Sequence, residues 1–211
     1  SVRFNDEAVI EPYTEKGQDS GLTENFVPKI VYSGQISQTK ESFSPVFEAL
    51  KEINVTSKKV EFHIYGGGNS EAIALLKKTI DSKNVADYVF YHGFVDRQEL
   101  VNAQNSAMLC LLLKRNIPFN RYNFPTKLLD YLVAHKAILL SNLPLHKQLF
   151  TDQVDSIMVD PESSLEIKKA ILWAIDNPEK LNVIGKTASV NLYHKLDANL
   201  NIERLINYTK K

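Results

Sequence analysis

The amino-acid sequence predicts a doubly wound α/β domain: a parallel sheet of about six strands, with helices on both faces and a helical C-terminal tail. Two patterns carry this. From Pro28 onward, short apolar runs alternate strictly with amphipathic ones. Several of the short runs are apolar on both faces, as strands buried between two helix layers must be. The chain's 211 residues are enough to bury a sizeable core as one domain.

Residues 1–29 carry six acids against three bases, a turn-forming cluster at 15–21 and one short apolar segment, Ala8, Val9 and Ile10. They read as a linker or lead-in, and 30–211 as the domain proper. Strands are expected at 30–33, 60–65, 88–91, 108–113, 137–140 and 156–159, each brief and rich in β-branched, leucine or aromatic residues. Ser44 is a candidate cap for a helix with Val46, Leu50 and Ile53 on one face. Asn69 or Ser70 caps the next, with Ile73, Leu76 and Ile80. A shorter helix carries Leu100 and Ala103. Another, from about Thr126 to His135, uses Leu128, Leu129, Leu132 and Val133. Ile167, Ala170, Ile171, Ala174 and Ile175 form a further stripe, and beyond Pro178 the pattern is helical, ending on Ile202, Leu205 and Ile206.

With a formal net charge of zero, nothing asks for nucleic acid or an anionic membrane surface as a bulk partner. No apolar run approaches a membrane span, so a cytoplasmic protein is expected, with docking at the inner membrane face left open. Cys110, the single cysteine, lies in an apolar run and reads as a buried small hydrophobe. The histidines at 63, 92, 135, 146 and 194 show no ligand spacing with one another or with a nearby acid, so no metal is implied. Walker, Gly-x-Ser-x-Gly and Asp-x-Asp elements are absent.

In a doubly wound sheet ligands bind beyond the carboxyl ends of the strands, so the loops after the strands are where chemistry is expected. The first holds Gly34, Gln35 and Lys40: a glycine that lets backbone approach a ligand and a lysine able to neutralise a phosphate, or simply a turn and a solvated side chain. The second, Gly66, Gly67 and Gly68, suggests close backbone approach or positive φ, and lacks the dinucleotide-binding glycine spacing because Glu71 stands where the third glycine would be. The third holds His92, Gly93, Phe94, Val95 and Asp96, the last a candidate helix cap. The fourth, residues 120–135, holds Asn123, Phe124, Pro125, Thr126 and Lys127 ahead of Asp130. Pro125 suits a first helical position, Lys127 could reach a phosphate, and the helix start offers unpaired N–H groups.

These residues resemble the C-terminal donor-binding domain of GT-B glycosyltransferases, specifically glycosyltransferase family 4, over roughly residues 28–210. Val31, Tyr32, Ser33 and Gly34 followed by Lys40 resemble the family's first strand, glycine and diphosphate-binding lysine. Phe62 to Gly68 resembles its second strand and glycine loop. Val89 to Val95, followed by Glu99 and Leu100, resembles the third strand, whose loop lies beside the nucleotide base. Asn123 to Leu132 matches the segment that holds the donor sugar and ribose, and Val9 to Pro12 the connector from an N-terminal acceptor domain. The resemblance implies a Rossmann-like half of a GT-B fold. It implies transfer of a sugar from a UDP- or GDP-sugar to an acceptor on an absent N-terminal domain, with retention and without a cofactor or metal. Bacterial polysaccharide, glycan or glycolipid synthesis is the expected setting.

Three positions depart from the family pattern. Gln35 stands where an arginine is usual, Tyr122 where the first of two carboxylates is usual, and His135 where a small residue is usual. Asp130 replaces the second carboxylate and can still accept ribose hydroxyls. The catalytic residue is therefore unassigned. A non-catalytic binding or partner module derived from such an enzyme is the alternative, with a nicotinamide-dependent oxidoreductase ranked behind it because the first loop lacks the dinucleotide turn.

Overall fold

The structure, a computed structural model, describes residues 27–196 apart from 38, 42 and 56–59. The expected lead-in, connector and the stripe at 202–206 lie outside the described residues. Six strands form one sheet: β1 (Lys29–Ser33), β2 (Glu61–Tyr65), β3 (Val89–Gly93), β4 (Leu109–Leu112), β5 (Ile138–Ser141) and β6 (Ile157–Val159). All pairings are parallel and the order is β3-β2-β1-β4-β5-β6, which confirms the doubly wound expectation.

Among the described residues eight helices connect and flank them: α1 (Ser44–Ile53), α2 (Ser70–Lys83), α3 (Arg97–Ser106), α4 (Pro118–Tyr122), α5 (Lys127–Val133), α6 (Pro144–Leu149), α7 (Ser164–Asp176) and α8 (Pro178–Leu196). Alternation along the strands divides the core in two. Ile30, Tyr32, Phe62, Ile64, Leu109 and Leu111 face α1, α2 and α7. Val31, Cys110, Leu112, Ile138 and Leu140 face α5 and α8 through Leu128, Tyr131, Leu132, Ala188 and Leu192. Cys110 is fully buried, which pushes its thiol up to about 12 and makes it inert packing.

Side-chain capping follows the sequence at two helix starts. Asn69 Oδ1 accepts the Ala72 amide at 2.8 Å, and Asp96 Oδ1 accepts the Glu99 amide at 2.8 Å. Elsewhere the structure corrects the expectation. Phe43, not Ser44, is the residue before α1, and it supplies no side-chain cap; Pro45 in the first turn removes one of the amides that would need one. Ala72 rather than Ile73 is buried with Leu76 and Ile80. In α5 the buried residues are Leu128, Tyr131 and Leu132, while Leu129 and Val133 are exposed. Pro125 precedes the N-cap Thr126 and so is not the first helical residue. Helices α4 and α6, both opened by proline, lie where no helix was read.

Candidate functional site

The sheet order reverses between β1 and β4, and α1, which follows β1, and α5, which leads into β5, pack on opposite faces. The two strands are in register at Ile30 with Leu109 and Val31 with Cys110, and then part. Parting leaves backbone groups without ladder partners in a buried place, which is costly unless a side chain supplies one. Tyr131 of α5 does so. Its hydroxyl accepts the Ser33 amide at 2.8 Å and lies 3.5 Å from the Leu111 carbonyl, while Gln104 donates to Ser33 Oγ at 3.1 Å. Burial holds the phenol far above its ordinary range, so it remains a neutral donor and acceptor. This anchor fixes α5, and therefore Asp130, beside the switch point.

The three glycine-bearing loops pack on one another through backbone. Gly34 N–H donates to the Tyr65 carbonyl at 3.0 Å, Ile36 N–H to Gly67 at 2.7 Å and Gly66 N–H to Gly93 at 2.7 Å. Gly66 has φ +114°, and a Cβ there would run into the Gly34 carbonyl. A Cβ at Gly67 would strike the Phe94 ring, and one at Gly68 the Ile36 carbonyl. The glycines are thus accounted for by loop-on-loop contact. The expectation that the Gly34 amide faces a ligand is overturned, because the Tyr65 carbonyl takes it. The Gln35 amide, next along, has no acceptor among the described residues, and neither do those of Gly67 and Gly68.

A cleft of about 510 Å³ opens here, lined by Gly34, Gln35, Gly67, Gly68, Phe94, Val95 and parts of β1, β2 and α3. Phe94 is 87% exposed although its ring covers Gly67, so a large apolar face is offered at the rim. His92 and Gly93 do not line the cleft. His92 stacks on Tyr65 at 4.4 Å, and its Nε2 is 2.9 Å from His63 Nδ1, whose Nε2 is 3.0 Å from Glu61. Desolvation and the neighbouring His63 hold His92 below its ordinary range. The sequence spacing gave no hint of this Glu61, His63 and His92 chain, which the parallel pairing of β2 with β3 creates. Among the described residues no group of three or more metal-binding side chains is assembled.

The fourth loop is pinned from beneath. Asn120, fully buried, donates through Nδ2 to the carbonyls of Lys40 and Arg115, each at 2.9 Å, tying α4 to the first loop. Lys40 turns its ammonium toward Phe119, 4.7 Å from the ring centroid. Phe124 packs on the core below α5, Pro125 is buried, and Asn123 is half-buried. Thr126 is exposed, and the amides of Thr126 and Lys127 have no acceptor among the described residues. Tyr122 is 74% exposed, and Asp130 is exposed with no partner for its carboxylate among the described residues. Helix α5 has only 7 residues, so its dipole contributes less than a long helix would.

Lys127 joins the two lips of the site. Its Nζ donates to the Tyr32 hydroxyl at 2.7 Å, lies 3.6 Å from Glu41 Oε1, and would be 2.6 Å from a Cβ at Gly34. Burial, opposed by Glu41 and aided by Lys114 and Lys40, brings its pKa down to about 8. Lys114, itself buried, is likewise lowered by desolvation. Glu41 is a site residue that sequence reading missed. It follows the turn at Lys40 and is buried where it meets Lys114, just past β4, and Lys127 of α5. Of the expected donor-site residues, then, Gly34, Gln35, Gly67, Gly68, Phe94 and Val95 share one cleft. Lys127 touches Gly34 from outside the lining, where Lys40, Asn123 to Thr126 and Asp130 also stand.

Comparison with known proteins agrees with this fold. Anabaena HepE, solved in complex with UDP and glucose, superposes with a TM-score of 0.69 at 15% identity over 88% of this chain and 49% of its own. S. aureus TarM in complex with fondaparinux, α-GlcNAc-glycerol and UDP gives 0.67 at 14% identity, covering 90% of this chain and 37% of that one. The C-terminal domain of the group 1 glycosyl transferase LpcC from Francisella tularensis gives 0.67 at 14% identity, covering 82% and 89%. The chain therefore spans about half the length of HepE, and at these identities the likeness establishes the fold alone. Among curated proteins none matches the sequence. No helix among the described residues is long and apolar enough to cross a membrane. The family model for glycosyl transferases group 1 matches residues 17–190, most of the chain, and the chain belongs to that family.

Proposed function

We propose that this chain is the donor-binding half of a retaining glycosyltransferase of the family 4 type, which takes a sugar from a nucleoside diphosphate sugar and passes it to an acceptor held by a further domain. One observation carries the reading. At the switch point, an unspent Gln35 amide lines the glycine-walled cleft, and the Lys127 ammonium lies against Gly34, one of the wall residues. An anion there would meet backbone N–H and a buried cation together, the combination that suits a diphosphate. Breaking the bond between the sugar's anomeric carbon and the diphosphate leaves negative charge on the departing oxygen. Preorganised donors aimed at that oxygen stabilise the charge as it develops. The base would lie against the rim formed by Phe94 and Val95, and Asp130 would accept the ribose hydroxyls.

Tyr122 favours a second reading. It is a phenol where the resemblance implies a carboxylate beside the transferred sugar, and it points into solvent. A module that binds donor and performs no transfer fits that substitution. Titration calorimetry of the chain with UDP-glucose and with GDP-mannose tests the shared claim. Saturable binding of at least one at millimolar concentration is expected, and a folded sample that binds neither contradicts it.

A further inference from the structure

The cation at the cleft does not hold itself in place. Lys127 Nζ is fixed by two groups from the first loop and its strand, the Tyr32 hydroxyl at 2.7 Å and Glu41 Oε1 at 3.6 Å. Both Lys127 and Glu41 are largely withdrawn from water, their side chains 15% and 4% exposed. A carboxylate this deeply buried is expensive unless its oxygens are all engaged. Yet Glu41 Oε2 has no hydrogen-bond partner among the described residues. Glu41 is joined to β4's far end by an isolated antiparallel bridge to Lys114, a second buried lysine, and Lys40 is its chain neighbour. One acid thus stands among three lysines behind Gly34, a local excess of positive charge next to the cleft.

We propose that Glu41 is a positioning residue for donor binding: its buried carboxylate holds the Lys127 ammonium over Gly34 to meet the diphosphate, supplying from the fourth loop the cation that is lacking at Gln35. This rests on the function proposed above and adds to it a residue on no motif. Without Glu41, nothing of opposite charge among the groups facing Lys127 (Tyr32, Lys40 and Lys114) would offset its burial. The ammonium would then lose its proton at lower pH, and the anion would meet a neutral amine.

The sign of the Glu41→Gln effect separates three roles. If Glu41 merely repelled anions, neutralising it would tighten donor binding at every pH. If it merely supported the fold, binding would weaken at every pH. As a positioning residue that keeps Lys127 charged, it gives a crossover: the variant binds as well as or better than the parent near pH 6, and several-fold more weakly near pH 8. UDP-glucose and GDP-mannose are suitable probes, since neither diphosphate titrates between those values. Lys127→Met is expected to weaken binding about tenfold near pH 7 and to abolish the pH dependence. In the parent chain, binding above pH 8 should take up a proton, read as a dependence of the calorimetric heat on buffer ionisation. That readout needs no variant to fold. Failure of the parent chain to bind either probe overturns the functional reading and this one with it. Binding that Lys127→Met leaves unchanged, or a Glu41→Gln effect of one sign at all pH values, overturns this inference alone.

Discussion

The two sides of the candidate site are built in opposite ways. The lip made by the first three loops is backbone on backbone: Gly66, Gly67 and Gly68 are pressed against carbonyls and one aromatic ring, and Gly34 alone meets a charge, the Lys127 ammonium of the other lip. The lip made by the fourth loop is side chain on side chain. Lys127, Glu41, Tyr32, Asn120 and Tyr131 reach across from positions far apart in the sequence, and nearly every contact carries a polar or charged group into the interior. The first lip sets shape and the second sets charge. Substitutions in the first should therefore act on stability, and those in the second should divide between stability and ligand affinity.

Gly66→Ala should produce the largest change. It places a methyl group against the Gly34 carbonyl at a φ of +114°, combining overpacking with strain. A loss of about 2–4 kcal/mol in urea unfolding is expected. A change below about 0.5 kcal/mol would mean that the two loops are not in contact.

Tyr131→Phe probes the other lip at its root. The ring packing is kept while the Ser33 amide loses its acceptor in a buried place. The expected loss is about 1–3 kcal/mol. Unchanged stability would show that water or a shifted Ser33 serves as well.

Asp130→Ala should leave folding nearly unaltered, since the carboxylate is exposed and has no partner among the described residues. It should weaken nucleotide binding by about 1–3 kcal/mol if the acid meets the ribose. Equal affinity in the variant would remove that assignment and leave the rest of the cleft standing.

The same contrast explains what was legible in the amino-acid sequence. All six strands were readable, because each is a short apolar run whose character is local. The Asn69 and Asp96 caps were readable for the same reason, each bonding an amide three residues on. The glycine lip could be located from residue type alone, although which amides it leaves free could not, because that depends on the register of β1 against β2. Helices α4 and α6 escaped because five or six residues cannot display a helical period. Glu41 escaped for a different reason. An acid beside a turn is ordinarily solvated, and the contacts of Glu41 with Lys114 and Lys127 come from the distant return of the chain past β4 and as α5. The meeting of His63 with His92 is of the same kind, arising across two parallel strands. Tyr131 was read as part of the motif around Asp130. Its role as the plug between two parting strands follows from topology and from nothing in its neighbours.

The most direct test of the whole account is a crystal structure of the chain soaked with UDP. The diphosphate should lie within hydrogen-bond distance of the Gln35 amide and the Lys127 ammonium, with the base at the Phe94 rim and the ribose at Asp130. A nucleotide bound on any other surface, or an empty cleft at millimolar UDP in a lattice that leaves it open, would contradict it.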